Sequence, residues 1–127
     1  MSFSVDIKKQ KDGVYLIRPE GRLDSTTYPM FKEGVMPLLD KPVKALIFDM
    51  NKLDYISSAG IGVIFQARKI VEVAGGVFIM TNLKPQINKV FEIVKLLPKD
   101  AVFKSLEEVD SYLDAIQRKE SEKEEKQ

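Results

Sequence analysis

Two adjacent serines, Ser57 and Ser58, stand where a buried strand is predicted to pass into a helix. An apolar run, Ala45 to Phe48, precedes them, and small residues with helical spacing follow. The first amides of a helix have no partners within it, and the helix dipole is positive at that end. A hydroxyl there can cap the helix, and a phosphate added to it would meet backbone donors. The pair therefore predicts a helix cap, a phosphorylation site, or both.

The residue types that the chain lacks exclude several kinds of chemistry. It contains no cysteine and no histidine. This excludes thiol nucleophiles, disulfides, thiolate or imidazole metal sites and a Ser-His-Asp triad. Because no activated nucleophile stands out either, the sequence predicts a protein that is not an enzyme and that binds neither a cofactor nor a metal.

Charge and hydropathy restrict the partners. The net charge is +1, and lysines and glutamates are interspersed, which argues against binding to nucleic acid or to an acidic membrane. No apolar run approaches the roughly 20 residues of a membrane helix. The segment from Met1 to Asp6 lacks the charged and apolar regions of a signal peptide. We therefore expect a cytoplasmic protein.

Two glycines follow the serine pair, in Gly60-Ile61-Gly62. A dinucleotide-binding fingerprint also lies between a strand and a helix, but here Phe65 stands where its third glycine would be. We therefore expect both glycines to allow close approach of the helix backbone to its neighbours.

Acidic residues near predicted strand ends offer a second chemistry. Asp24, Asp49 and Asp54 are candidate ligands for Mg²⁺, and Asp24 and Asp49 could share a site if those strand ends converge at one edge of a sheet. The interpretation that we favour is structural, with Asp24 capping the first helix and Asp54 beginning a turn.

Alternating strand and helix patterns predict the fold. The predicted strands are 3–7, 14–17, 45–50, 77–80 and 101–103, and the predicted helices begin near Tyr28, Ser58, Pro85 and Leu106. This order predicts an α/β domain with a mixed, mostly parallel central sheet of about five strands and about four helices. We expect one domain over 1–117. The charged tail 118–127 lacks apolar residues and is predicted to be disordered.

The segment from Leu53 to Ile64, with its Ser-Ser-Ala-Gly core, resembles the signature of bacterial anti-sigma factor antagonists, the STAS domain family. Glu20-Gly21-Arg22-Leu23-Asp24 is similar to the glycine-x-leucine-aspartate element of the family, and Ala74-Gly75-Gly76 before a strand is also similar. The resemblance runs from about Phe3 to Gln117.

The resemblance implies a phosphorylation switch. Such a domain binds an anti-sigma factor that is also a serine kinase with its own ATP site, and thereby frees a sigma factor. The kinase phosphorylates one serine and ends the interaction, and a phosphatase restores it. Ser58 matches that serine. Ser57, which stands where many members have aspartate, is the second choice. The implied partner-binding residues are Asp24, Ser57, Ser58, Ala59, Gly60 and Ile61.

Two alternatives stay open. One is a small-ligand or nucleotide-binding α/β domain that uses Asp24 and Asp49 and has a deep pocket at the strand ends. The other is a STAS scaffold in a different signalling complex. The switch interpretation instead predicts a shallow, exposed surface around Ser58 and Ile61.

Overall fold

The predicted α/β fold is confirmed by a computed structural model that describes residues 3–97 and 103–125. In these residues a mixed five-stranded sheet packs with four helices. The elements are β1 (Ser4–Lys11), β2 (Val14–Leu23), α1 (Tyr28–Val35), a 3₁₀ turn (Met36–Asp40), β3 (Ala45–Asp49), β4 (Leu53–Ile56), α2 (Ser58–Val73), β5 (Val77–Thr81), α3 (Pro85–Leu96) and α4 (Leu106–Glu125).

Strand β2 organises the sheet because it pairs with three other strands. It is antiparallel to β1, and its first half, Val14 to Ile17, runs parallel to β3. Its last residues, Gly21 to Leu23, run parallel to β4 instead, with an irregular register at Gly21. Gly21 has a φ of 100°, which glycine adopts at low cost. The change of partner places the carboxyl ends of β2 and β4 side by side.

The core lies between the sheet and the helices. Phe31 of α1 and Phe48 of β3 are fully buried, with their ring centroids 5.9 Å apart. The buried face of α2 consists of small and apolar residues, namely Gly60, Ile61, Val63, Ile64, Ala67 and Val71. This face fixes the orientation of α2, and with it the position of the serine pair.

Strand β4 was not predicted. The sequence analysis has Asp54 beginning a turn, but Asp54 lies within β4 and forms a salt bridge with Lys84 of α3. The segment Leu53-Asp54-Tyr55-Ile56 neither alternates strictly nor forms an apolar run, and its pairing with β2 joins distant parts of the chain. The strand predicted over 101–103 lies outside the described residues except for Phe103, which is not in a strand.

Helix α4 extends beyond the predicted end of the domain at residue 117. It continues to Glu125, so the described part of the predicted disordered tail is helical. Ion pairs along the helix, Arg118 with Asp114 and Lys123 with Glu120, contribute to this continuation. The domain boundary at residue 117 stays a prediction.

Candidate functional site

Ser57 caps helix α2 from within the core. Its side-chain oxygen accepts a hydrogen bond from the Gly60 N–H at 3.3 Å, and its carbonyl accepts one from the Ile61 N–H at 3.0 Å. The residue is only 3% exposed. The capping role suggested by the sequence is confirmed for Ser57, and its burial hides this hydroxyl from a partner.

Ser58 is the first residue of α2 and is partly exposed. Its backbone N–H donates to Oδ1 of Asp110 in α4 at 2.8 Å. Its hydroxyl has no hydrogen-bond partner among the residues that the structure describes. Of the two neighbouring hydroxyls, the one on Ser58 is therefore available to another molecule.

Asp24 lies beside the serine pair because of the strand pairing. It follows Leu23, which pairs with Ile56, and the Ser57 N–H donates to the Leu23 carbonyl at 2.8 Å. The Asp24 carboxylate accepts from the Thr26 N–H at 3.0 Å and the Thr27 N–H at 3.1 Å. It thus shapes the turn before α1. The predicted cap at Asp24 is wrong, since the N-cap is Thr27.

The pKa of the Asp24 carboxyl lies below its ordinary value of 3.8. Burial raises this pKa, but the hydrogen bonds from Thr26 and Thr27 stabilise the charged form and outweigh burial. Arg22 adds a cation, with its Nε atom 3.8 Å from Asp24 Oδ2. The residue that follows the backbone contact between Leu23 and Ser57 therefore carries a carboxylate that is ionised at neutral pH.

The small residues after the serines divide into exposed and buried positions. Ala59 is partly exposed, whereas Gly60 and Ile61 are buried, with Ile61 only 6% exposed. The predicted exposed surface around Ile61 is therefore wrong. A Cβ atom at Gly60 would lie 2.7 Å from Leu23 Cγ, so the close-approach interpretation holds there. It fails at Gly62, where a Cβ atom would meet nothing within 4 Å.

Helical geometry gives Ser58 two exposed neighbours that are not among the predicted partner-binding residues. Gly62 and Phe65 follow Ser58 at i+4 and i+7, and Phe65 is 38% exposed. This spacing is the signal that could have identified them. We define the α2 surface as Asp24, Ser58, Ala59, Gly62 and Phe65. It combines a hydroxyl, a carboxylate, a flat backbone segment and an exposed aromatic ring.

Asp49 does not join Asp24. Its carboxylate accepts from the Asn51 N–H at 3.1 Å and the Asn82 side-chain amide at 3.2 Å, and Arg18 Nε lies 3.4 Å away. Burial raises the pKa of Asp49, but these contacts outweigh it and lower that pKa below 3.8. Arg18 precedes Asp24 by six positions of extended chain, which span roughly 20 Å. The two aspartates therefore do not converge, as the Mg²⁺ interpretation would require.

The surroundings of Asp49 do not support a metal or deep ligand site built on both aspartates. A cavity of about 440 Å³ beside Asp49 has a lining of mixed charge, including Asp6, Arg18, Glu20 and Lys52, and Asp24 lies outside it. No cluster of three or more potential metal-ligating side chains occurs within 3–97 and 103–125. None of the helices in the described part of the chain is long and apolar enough to cross a membrane.

Comparisons with known proteins find relatives that are named as anti-sigma factor antagonists. The chain is 30% identical over 82 residues to BtrV of Bordetella bronchiseptica, which carries the name of an anti-sigma factor antagonist; this covers 65% of the chain and 71% of the relative. It is 27% identical over 96 residues to the anti-sigma-B factor antagonist of Listeria monocytogenes, covering 76% of the chain and 84% of the relative.

Solved structures share the architecture. The anti-sigma factor antagonist SpoIIAA in its unphosphorylated form superposes with a TM-score of 0.66 at 21% identity, over 73% of this chain and 82% of that one. The phosphorylated form of SpoIIAA from Bacillus gives a TM-score of 0.63 at the same identity and covers 73% of this chain and 85% of that one. A family comparison identifies residues 7–109 as a STAS domain. Since this match covers most of the sequence, the chain belongs to the STAS domain family.

Proposed function

We propose that this protein is an anti-sigma factor antagonist. It binds an anti-sigma factor through the α2 surface and so releases a sigma factor for transcription. The anti-sigma factor is also a serine kinase, which ends the complex by phosphorylating Ser58, and a separate phosphatase restores the unmodified form. The antagonist and the anti-sigma factor act in the cytoplasm, and this chain contributes neither catalysis nor a cofactor.

The observation that carries the proposal is the contrast between the two serines. The Ser57 hydroxyl is buried and bonded to the Gly60 N–H, whereas the Ser58 hydroxyl is partly exposed and free to enter a kinase site. In the transfer, the Ser58 oxygen forms a bond to the γ-phosphorus of ATP and loses its proton. The bond from that phosphorus to the β,γ-bridging oxygen breaks, and ADP leaves.

Electrostatics explain how the modification would end binding. A phosphoserine carries about −1.5 to −2 charges at neutral pH. At Ser58 this charge would lie in the α2 surface, which also includes the ionised Asp24 carboxylate. A docked partner would have to desolvate both anions, which is costly without matching cations. Direct repulsion at the interface is therefore sufficient, and the sheet and core need not rearrange.

The relatives support the same assignment. BtrV and the Listeria protein carry the name of anti-sigma factor antagonists, and SpoIIAA is known in phosphorylated and unphosphorylated forms. The ligand-binding alternative has no corresponding support, because Asp24 lies outside the cavity beside Asp49.

Mapping the modified residue tests the proposal. The protein is incubated with ATP and a candidate anti-sigma factor kinase from the same genome, and the product is analysed by mass spectrometry. We expect one phosphate, at Ser58. Ser58→Ala should abolish its incorporation, and the matched variant Ser57→Ala should retain it. Phosphate at Ser57, or at neither serine, would contradict the proposed switch.

A further inference from the structure

Helix α4 is attached to the serine junction by Asp110 and Gln117, and Leu113 lies buried between them on the same face. Asp110 accepts the Ser58 N–H at 2.8 Å. One turn on, Leu113 is buried at 2% exposure. A further turn on, Gln117 accepts from the Ile56 N–H at 2.9 Å and donates to the Ile56 carbonyl at 2.8 Å. These contacts join α4 to the end of β4 and to the first turn of α2.

The Asp110 carboxylate occupies the position at which an anion is most favoured near Ser58. The N–H that it accepts is one of the unpaired donors of the first turn of α2, at the positive end of the helix dipole. A phosphate on the Ser58 oxygen would reach the same donors. Its covalent attachment keeps its local concentration high, so Asp110 would be the group displaced.

The charges around this junction are mostly negative or already paired. Arg118 is paired with Asp114, and Arg22 lies over the Tyr55 ring at 3.9 Å. Burial, followed by the carboxylates of Asp114 and Asp110, raises the pKa of Tyr55, whereas Arg22 lowers it. A phosphate on Ser58 would therefore face the Asp110 carboxylate, while Arg118 and Arg22 already have partners.

We propose that phosphorylation of Ser58 displaces Asp110 from the N-terminus of α2 and loosens helix α4, while the sheet and α2 stay folded. This inference rests on the proposed phosphorylation at Ser58. It adds an internal consequence to the external repulsion, because release of α4 uncovers the Ile56 backbone groups and the buried Leu113 side chain. The modified protein would thus differ from the unmodified one even without a partner.

Backbone hydrogen exchange of the full-length chain tests this release. Phosphoserine is installed at position 58 during translation, so that no partner kinase is needed. We expect the amide of Ile56 and those of α4 near Leu113 and Gln117 to exchange about tenfold faster than in the unmodified chain. Amides of β3 and the second half of α2 should keep their rates. Phosphoserine installed instead at Ser4, an exposed residue of β1, should leave α4 unchanged.

The variant Asp110→Asn tests whether the negative charge of Asp110 is needed for the release of α4. Asparagine keeps an oxygen that can accept the Ser58 N–H but adds no negative charge, so phosphorylation should accelerate exchange in α4 much less in this background. Unchanged α4 protection in the phosphorylated parent would overturn the inference. Equal acceleration in parent and Asp110→Asn, or loss of protection throughout β3, would also overturn it. Binding of the anti-sigma factor is measured in a separate titration, so a failure of the proposed function is distinguished from a failure of this inference.

Discussion

At the scale of single residues, the two adjacent serines differ in backbone conformation, in exposure and in the hydrogen bonding of their hydroxyls. Ser57 has an extended backbone, with φ −95° and ψ 173°, and directs its oxygen back to the Gly60 N–H. Ser58 begins the helix and has an unbonded hydroxyl among the described residues. The first hydroxyl stabilises α2, and the second is the one that we propose a partner modifies.

Substitution of each serine by alanine should separate these roles. Ser57→Ala removes a cap and should lower the free energy of unfolding by about 1 kcal/mol. Ser58→Ala removes no hydrogen bond made by the side chain and should change it by less than about 0.5 kcal/mol. Urea denaturation of both variants measures the difference. Equal losses would contradict the assignment of Ser57 as the cap.

Asp24 should make stability depend on acidity. Its folded pKa is below 3.8, so its stabilising effect is fully present above 3.8 and is lost as the pH falls through the lower folded value. Asp24→Asn can accept the same hydrogen bonds without titrating, so its unfolding free energy should vary less over this acidic range. Asp24→Ala should cost about 1 kcal/mol at neutral pH. Denaturation at neutral pH and at several values below 3.8 distinguishes the variants.

At the scale of elements, helix α2 has two faces that its glycines distinguish. Gly60 faces Leu23 and Ile56, where a Cβ atom would come within 3.0 Å of both side chains. Gly62 faces open space between Ser58 and Phe65. Glycine is required by packing at the first position. At the second it weakens the isolated helix without a compensating internal contact, which suggests that a partner approaches closely there.

The matched pair Gly60→Ala and Gly62→Ala tests this division. Gly60→Ala should destabilise the protein by about 1–3 kcal/mol through overpacking. Gly62→Ala should stabilise it by up to about 1 kcal/mol, since alanine favours helix. We also expect Gly62→Ala to weaken binding of the anti-sigma factor. Thermal unfolding and a binding titration report the two effects; a destabilised Gly62→Ala, or one that binds as the parent does, would contradict this interpretation.

At the scale of the whole molecule, the sequence predicts what local patterns encode. Strands were predicted at four of the five observed positions, helices were predicted near the starts of all four observed helices, and the serine motif indicated the family. Pairing between distant parts of the chain was not predicted. Strand β4 is short, and the contacts of Asp110 and Gln117 with the site span 52 and 61 positions. Gln117 follows Leu113 at i+4 on the face of α4 that the structure buries, and a polar residue at a buried position usually has a partner. The position of this glutamine was the sequence feature that could have indicated its contact with the Ile56 backbone.

The arrangement of the strands and of α2 in the whole molecule explains why the site faces outward. The change of partner within β2 brings Asp24 to the end of β4, where α2 begins, and α2 presents Ser58, Gly62 and Phe65 away from the core. Together they form a surface suited to another protein rather than an enclosed chamber. Antagonism of an anti-sigma factor is therefore the property to measure in the intact chain.

Release of a sigma factor from its complex with a candidate anti-sigma factor tests this claim most directly. The unmodified chain and the chain carrying phosphoserine at position 58 are titrated separately into that complex, and free sigma factor is quantified by size-exclusion chromatography. We predict that the unmodified chain releases sigma factor until its partner is saturated, and that the phosphorylated chain releases little. Equal release by both forms, or release by neither form from any anti-sigma factor of the same genome, would contradict the proposed function.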